Sequence, residues 1–193
     1  MLRLLLFTIL GLLLAACRGG EVRREKSGPV AGYLDLSRLF EEQSILLDSA
    51  GAGLYKVAWV DQYRDSASLS HDFRGWLREL APLQEAHIPE SILPLSYRVE
   101  REVAPRQELV SFISRYRKQT AVDSLAIRYR NGYPLQITAI IQDENRLYSS
   151  FRQIEAEFDS TDVLPLLRSY KLRGWQKMIG KDTVRLGIEA WIH

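Results

Sequence analysis

The sequence predicts an α+β domain in which two N-terminal helices cover an antiparallel β-meander of about seven or eight strands. Two segments before residue 90 carry apolar residues at helical spacing, whereas segments after residue 95 alternate apolar and polar residues, as half-buried strands do. Hydrophobic residues make up 46% of the 193-residue chain and charged residues 26%, which is typical of one globular domain. We therefore expect a curved or half-barrel-like sheet with the helices on its apolar face.

The first predicted helix begins after Asp35, because an aspartate favours the N-cap position, where its carboxylate accepts backbone N–H bonds. Apolar residues at near-helical spacing predict one buried stripe, and the glycines on either side of Ala52 predict the end of the helix. A short strand is then predicted over residues 54–60. The apolar stripe of the helix consists of Leu36, Leu39, Phe40, Leu46 and Leu47.

The second helix is predicted from Ser70 to about Ala86, where apolar residues again fall on one stripe. Pro82 lies inside this pattern and is expected to kink or end the last turn, because proline lacks the N–H that a helix interior needs. Three aromatic residues in and around this region are interpreted as core residues: Trp59, Trp76 and Tyr97.

Strand-like runs separated by short turns fill the chain from residue 95 onward. Their alternation of apolar and polar residues predicts antiparallel strands with one buried face. The predicted strands span residues 95–104, 108–117, 121–130, 134–142, 146–158, 166–178 and 183–192.

The turn near Asn131 decides how two of these strands pair. A two-residue turn would place a glutamine opposite Ile127, whereas a three-residue loop, 131–133, places Ile137 there. Because a one-residue slip moves every side chain to the other face, we predict the three-residue loop with a bulge. A second bulge is predicted near Gln153, where the apolar phase of the next strand changes.

The N-terminal residues carry the clearest functional signal. Arg3 gives a basic start, and the apolar run that follows over residues 4–14 is shorter than the roughly 20 residues that span a bilayer. The run ends in a motif that resembles the lipobox of bacterial lipoproteins with a type II signal peptide. The motif consists of Leu14, Ala15, Ala16 and Cys17.

That resemblance implies that signal peptidase recognises Leu14, Ala15 and Ala16, removes residues 1–16, and leaves Cys17 carrying fatty acyl chains such as palmitate. Two or three acyl chains hold a protein stably on a membrane, whereas one chain binds reversibly. The alternatives are an ordinary secretory signal with a chance cysteine and an uncleaved membrane anchor.

The residues after Cys17 predict the rest of the organisation. Residues 17–32 are interpreted as the lipidated N-terminus and a flexible polar tether, and residues 33–193 as a single α+β domain. Arg18 stands where an aspartate would resemble an inner-membrane retention signal, which favours the outer membrane, facing the periplasm. The order of lipobox, helix and meander resembles lipoproteins of Bacteroidota, a resemblance that implies no activity.

Few residues suited to catalysis or metal binding are present. The chain has one cysteine and three histidines, and its 26 basic against 24 acidic residues give +2, without the basic excess of a nucleic-acid-binding protein. No paired-histidine metal motif, nucleophile elbow or phosphate-binding loop occurs in the sequence. The run 70–72 contains triad residue types, but sequence neighbours point in different directions, so helix capping is the interpretation. We expect no catalytic residue, metal or cofactor.

The last strands carry charged and aromatic residues on their polar side. Glu155, Glu157 and Asp159 are interpreted as a cross-strand charge ladder with basic residues of the next strand, rather than as an acid/base site. The alternation of side chains along the strands places two tryptophans on this polar side. Exposed tryptophans there would make the polar side a contact surface. The alternative is that sheet curvature, the tether or the chain end covers them. The candidate contact surface consists of Lys171, Arg173, Trp175 and Trp191.

Three functions remain open from the sequence. We favour a membrane-anchored periplasmic lipoprotein with a non-catalytic binding or structural domain that contacts an envelope protein or another envelope component. The second is a carrier of a lipid or other apolar ligand, because the predicted architecture resembles that of the outer-membrane lipoprotein carriers, which enclose acyl chains. The third is a hydrolase without a recognisable motif. The carrier would line its cavity with Leu125, Ile127, Ile137, Leu186 and Ile188.

Overall fold

The structure is a computed structural model, and it describes residues 32–117, 119–159 and 165–193. No helix within these ranges is both long and apolar enough to cross a membrane. The predicted signal peptide and most of the predicted tether lie outside the described residues, as do the residues of the lipobox: Leu14, Ala15, Ala16 and Cys17.

The described residues form helices and one antiparallel sheet of nine strands, where the sequence predicts seven or eight. The helices are α1 (Leu36–Ser49), α2 (Phe73–Gln84) and α3 (Leu93–Ser96), with a 3-10 turn at Glu90–Ile92. The strands are β1 (Gly53–Val60), β2 (Tyr63–Ser70), β3 (Tyr97–Ala104), β4 (Gln107–Ser114), β5 (Val122–Arg130), β6 (Tyr133–Glu144), β7 (Tyr148–Phe158), β8 (Leu167–Met178) and β9 (Val184–Ile192).

The sheet is open, so the expectation of a half-barrel is wrong. Its strand order is β2-β1-β9-β8-β7-β6-β5-β4-β3, and among the described residues no strand pairs with the outer side of β2 or of β3. Closure would require β2 to pair with β3, but these two strands stand at opposite edges. The segment between them, which contains α2 and α3, carries the chain from one edge to the other.

The first helix begins as predicted, but the second does not. Asp35 caps α1 by accepting a hydrogen bond from the backbone N–H of Arg38 at 3.1 Å. In α2 the cap is Asp72, which accepts from the N–H of Gly75 at 2.7 Å, whereas Ser70 is the last residue of β2. Since β1 and β2 lie between the two helices in the chain, the predicted layout of two helices before the sheet is also wrong.

The hairpin between β5 and β6 uses a two-residue turn instead of the predicted three-residue loop. Arg130 pairs with Tyr133, and both turn residues have positive φ, 50° at Asn131 and 83° at Gly132, as a type I′ turn requires. A register shift after Arg128 restores the predicted pairing of Ile127 with Ile137. The predicted pairing of these isoleucines is therefore confirmed, but the bulge lies in the strands and not in the loop.

The predicted bulge near Gln153 is wrong. The register between β6 and β7 runs without a shift, and that between β7 and β8 shifts only at Glu157 and Phe158. The alternation of apolar residues along β7 changes for a different reason. Phe151 and Ile154 lie on opposite faces of the sheet, so both faces of β7 carry an apolar residue.

The hydrophobic core lies between α1, α2 and one face of the sheet, which we call the inner face. Trp76 and Tyr97 are buried as predicted, at 0% and 3% exposure. Trp59 is not a core residue, because it lies half-buried on the opposite face, which we call the outer face. The largest fully buried side chains include Leu36, Phe40, Leu47, Leu54, Trp76, Leu80, Phe112, Ile127, Ile137 and Tyr170.

Gly174 allows β7 and β8 to lie close together, and we expect Gly174→Ala to destabilise the fold. A Cβ at this position would lie 2.2 Å from the backbone oxygen of Phe151, which cannot move without shifting β7. The expected cost is about 1–3 kcal/mol in the free energy of unfolding, measured by urea denaturation. Gln176→Ala, an exposed position on the same strand, serves as the control and should change stability by less than about 0.5 kcal/mol. Equal stability of the two variants would contradict this account.

Candidate functional site

The four residues of the predicted contact surface all lie on the outer face. Lys171, Arg173 and Trp175 alternate along β8 with residues that face the helices, and Trp191 lies on β9 opposite Ser169. Trp175 is 37% exposed and Trp191 is 41% exposed, so neither belongs to the buried core. The helices cover the inner face, and these side chains stand on the face that α1 and α2 leave open.

Each of the two tryptophans pairs with an aromatic residue of a neighbouring strand. Tyr55 of β1 lies against Trp191, with ring centroids 5.8 Å apart and planes 27° apart. Phe151 of β7 lies against Trp175, with centroids 6.5 Å apart and planes 14° apart. We call these the two ring pairs. The sequence did not predict the partners, because they depend on which strands are neighbours in the sheet.

Trp59 extends the aromatic surface toward the edge strand β2. Its indole lies over Gly187, where an added Cβ would come within 2.1 Å of the ring. The guanidinium carbon of Arg64 lies 5.8 Å from the centre of the Trp59 ring, which is a favourable cation–π distance. Glycine at position 187 therefore lets a large ring lie flat against the sheet.

Between the two ring pairs lies a set of polar side chains that we call the polar band: Gln153, Glu155, Lys171, Arg173 and Glu189. Arg173 donates a hydrogen bond to Glu189, and this bond holds the pKa of Glu189 below its usual value. Glu155 lies opposite Lys171 and accepts a hydrogen bond from the amide of Gln153 at 2.8 Å. The predicted ladder is therefore only partly formed: Lys171 lies opposite Glu155, but Arg173 pairs with Glu189 of β9. Glu157 accepts a hydrogen bond from the hydroxyl of Ser169, and Asp159 accepts one from the backbone N–H of Leu166.

The residues predicted to line an apolar cavity lie on the inner face. Leu125, Ile127 and Ile137 are buried in the hydrophobic core, at 3%, 0% and 1% exposure, while Leu186 and Ile188 are half-buried. A surface cleft of about 480 Å³ lies elsewhere, at the end of α1. It is lined by Leu47, Ala50, Ala52, Asp159, Leu166, Leu167, Arg168, Ile192 and His193.

A partly buried polar cluster under α2 was not predicted from the sequence. The ammonium of Lys56 donates hydrogen bonds to both carboxylate oxygens of Glu79, at 2.7 and 2.8 Å, and the hydroxyl of Tyr170 donates to one of them. Nε2 of His71 lies 3.6 Å from the other oxygen, and the His71 ring meets the Trp76 ring edge-on at 5.2 Å. Residues from β1, β8 and α2 therefore converge on one carboxylate.

The protonation state of this cluster follows from its contacts. Burial alone would raise the pKa of Glu79, but hydrogen bonds from Lys56 and Tyr170 and the charge of Lys56 lower it below its usual value. Burial, together with the bond to the Glu79 carboxylate, strongly raises the pKa of the Tyr170 hydroxyl. Glu79 is thus an ionised carboxylate with both oxygens engaged, which makes it a poor general base and a good structural anchor.

The triad residue types at positions 70–72 do not converge in space as a catalytic triad. Ser70 ends a strand, and the carboxylate of Asp72 caps α2, while His71 faces Glu79. Within the described ranges, no group of three or more His, Cys, Asp or Glu side chains is arranged to hold a metal ion. No family model, curated protein or solved structure matches the chain.

Tyr170→Phe removes one hydrogen bond to the partly buried Glu79 carboxylate without leaving a cavity. Because hydrogen bonds to charged groups contribute about 1.5–3 kcal/mol, we expect the free energy of unfolding to fall by that amount. Urea denaturation at neutral pH measures the change. Tyr55→Phe, which removes a hydroxyl from an exposed ring, is the control and should have little effect. A Tyr170→Phe variant as stable as the wild type would show that the hydrogen bond from Tyr170 to Glu79 does not stabilise the fold.

Acid should weaken the same anchor. The pKa of Glu79 is lowered in the folded protein, so its contribution is complete above its ordinary value of 4.5 and is lost as the pH falls below that value. The stability difference between the wild type and the Tyr170→Phe variant should therefore be constant from neutral pH to about 5 and should shrink at lower pH. Denaturation midpoints measured at several pH values give this difference. A difference that grows on acidification would contradict the assignment.

Proposed function

We propose that this protein is a membrane-anchored periplasmic lipoprotein of the bacterial envelope, whose domain binds an envelope component and catalyses no reaction. The observation that carries the binding role is the pair of exposed tryptophans, Trp175 and Trp191, on the face that the helices leave open. Aromatic and arginine side chains contribute much of the binding energy at recognition surfaces, and exposed aromatic groups of this kind mark contact sites.

The anchor rests on the lipobox-like motif that ends at Cys17 and on the short apolar run before it. Acyl chains on that cysteine would hold the domain at the outer membrane, and Arg18 supports this membrane over the inner one. The packing of Ile127 and Ile137 in the core favours binding at a surface over enclosure of a lipid within the domain.

The test follows two variants of the full-length chain produced with its own signal sequence in a Gram-negative bacterium. Cys17→Ser should leave the protein soluble or unprocessed, because the acceptor of the lipid is gone, whereas the wild type fractionates with the outer membrane. A photo-crosslinking amino acid placed at Lys171, between the ring pairs, should become linked to envelope material. The same group placed at Tyr63, which is 74% exposed on the inner side of β2, is the matched control.

Two results would overturn the proposal. Normal processing and unchanged membrane fractionation of Cys17→Ser would exclude the lipid anchor. Equal crosslinking from positions 171 and 63, or crosslinking from 171 that survives the double variant Trp175→Ala with Trp191→Ala, would exclude the outer face as the binding surface.

A further inference from the structure

The two ring pairs stand at a fixed distance along one strand. Trp191 lies opposite Ser169 of β8, and Trp175 follows six residues later on β8 itself. At about 3.3 Å per residue, the ring pairs are roughly 20 Å apart, with the polar band between them. A ligand that touches both pairs is therefore long, narrow and aligned with the strands.

The alternation of aromatic and polar contacts fits a chain of sugar rings. A pyranose has an apolar face of C–H groups that packs on an aromatic ring, and a rim of hydroxyl and amide groups that forms hydrogen bonds. The ring pairs supply aromatic contacts, and the polar band supplies an amide, two carboxylates and two cations at Gln153, Glu155, Glu189, Lys171 and Arg173. Hydrogen bonds between a hydroxyl and a charged group, such as a carboxylate or a guanidinium, are stronger than those between neutral groups.

The part of the outer face that carries the ring pairs and the polar band is smaller than a stable protein interface. Three inter-strand spacings of about 4.8 Å, or roughly 14 Å, separate β1 from β7, so the area between the ring pairs is about 300 Å². A stable protein interface buries about 800 Å² on each partner. A narrow glycan needs no larger surface than the one present.

The charge of the surface argues for a neutral ligand. Arg173 pairs with Glu189, and Lys171 lies opposite Glu155, so the polar band has as many positive as negative groups. Such a band offers no net attraction to an anionic lipid headgroup. Its paired groups still offer donors and acceptors to a neutral polar chain.

We propose that the outer face binds the uncharged sugar backbone of a linear, N-acetylated glycan along β8 and across both ring pairs. The glycan is the polysaccharide strand of the bacterial cell wall, whose acidic groups lie on the lactyl and peptide branches. This inference rests on the proposed function, because it names the envelope component that the domain contacts. The glycan strand lies in the periplasm, where the anchored domain would meet it.

The test titrates the purified full-length chain, in a detergent without a sugar headgroup, with the hexasaccharide and the disaccharide of N-acetylglucosamine. Binding is followed by the change in tryptophan fluorescence and by calorimetry. We expect the hexasaccharide to bind at least ten-fold more tightly than the disaccharide, because only the longer chain reaches both ring pairs. Trp175→Ala and Trp191→Ala should each reduce hexasaccharide affinity to the level of the disaccharide, while Tyr63→Ala, an exposed aromatic outside the surface, should leave it unchanged.

A second arm uses purified, insoluble cell-wall sacculi, which should retain the wild type in a pull-down and release the double variant Trp175→Ala with Trp191→Ala. Circular dichroism of each variant establishes that loss of binding is not loss of fold. Absence of saturable binding to both the hexasaccharide and the sacculi would overturn the glycan, as would equal affinities in the tryptophan variants. Self-association that depends on the two tryptophans would overturn it as well, in favour of a dimer. Crosslinking from position 171 that persists when glycan binding fails would leave the proposed function standing and remove only the glycan.

Discussion

The whole structure depends on one hydrophobic face, built mainly by the inner strands of the nine-stranded sheet and covered by the two longer helices. Because successive side chains of a strand point to opposite faces, every strand that buries a residue under the helices also presents a residue on the outer face. Among the described residues the helices lie only on the inner side, so no helix of this part of the chain covers the outer face. An exposed aromatic residue there, such as Trp175 or Trp191, is one that core packing does not require.

The carboxylate of Glu79 then determines where α2 crosses this sheet. Lys56 belongs to β1 and Tyr170 to β8, and β9 lies between those two strands. These two partners stand at the correct separation only after the last strand of the chain has inserted next to the first. A partly buried carboxylate without partners would cost free energy, so this one contact favours the native strand order over alternatives that separate β1 from β8.

Alternation predicts the strands after residue 95 because most of them have one buried and one exposed side; in the edge strand β3 only Tyr97 is buried, although its sequence alternates. It does not predict β2, whose residues are exposed on both sides at the edge of the sheet and therefore show no period. The alternation of side chains along β8 and β9 likewise places Trp175 and Trp191 on the outer face. Their ring partners, Tyr55 and Phe151, and the Lys56–Glu79 contact depend on which distant segments become neighbours, and a one-dimensional pattern does not contain that information.

The polar band between the ring pairs has a physical purpose of its own. An apolar surface joining Trp175 to Trp191 would form one continuous exposed patch, and patches of several hundred square ångströms promote association. Paired charges such as Arg173 and Glu189 divide it into two small aromatic areas, neither of which is large enough to drive dimerisation. Since both areas stand on rigid strands rather than on loops, their separation is fixed before any ligand arrives, and little conformational entropy is lost on binding. The glycan that we propose as the ligand must therefore be long enough to span the fixed separation, because only such a chain gains both aromatic contacts.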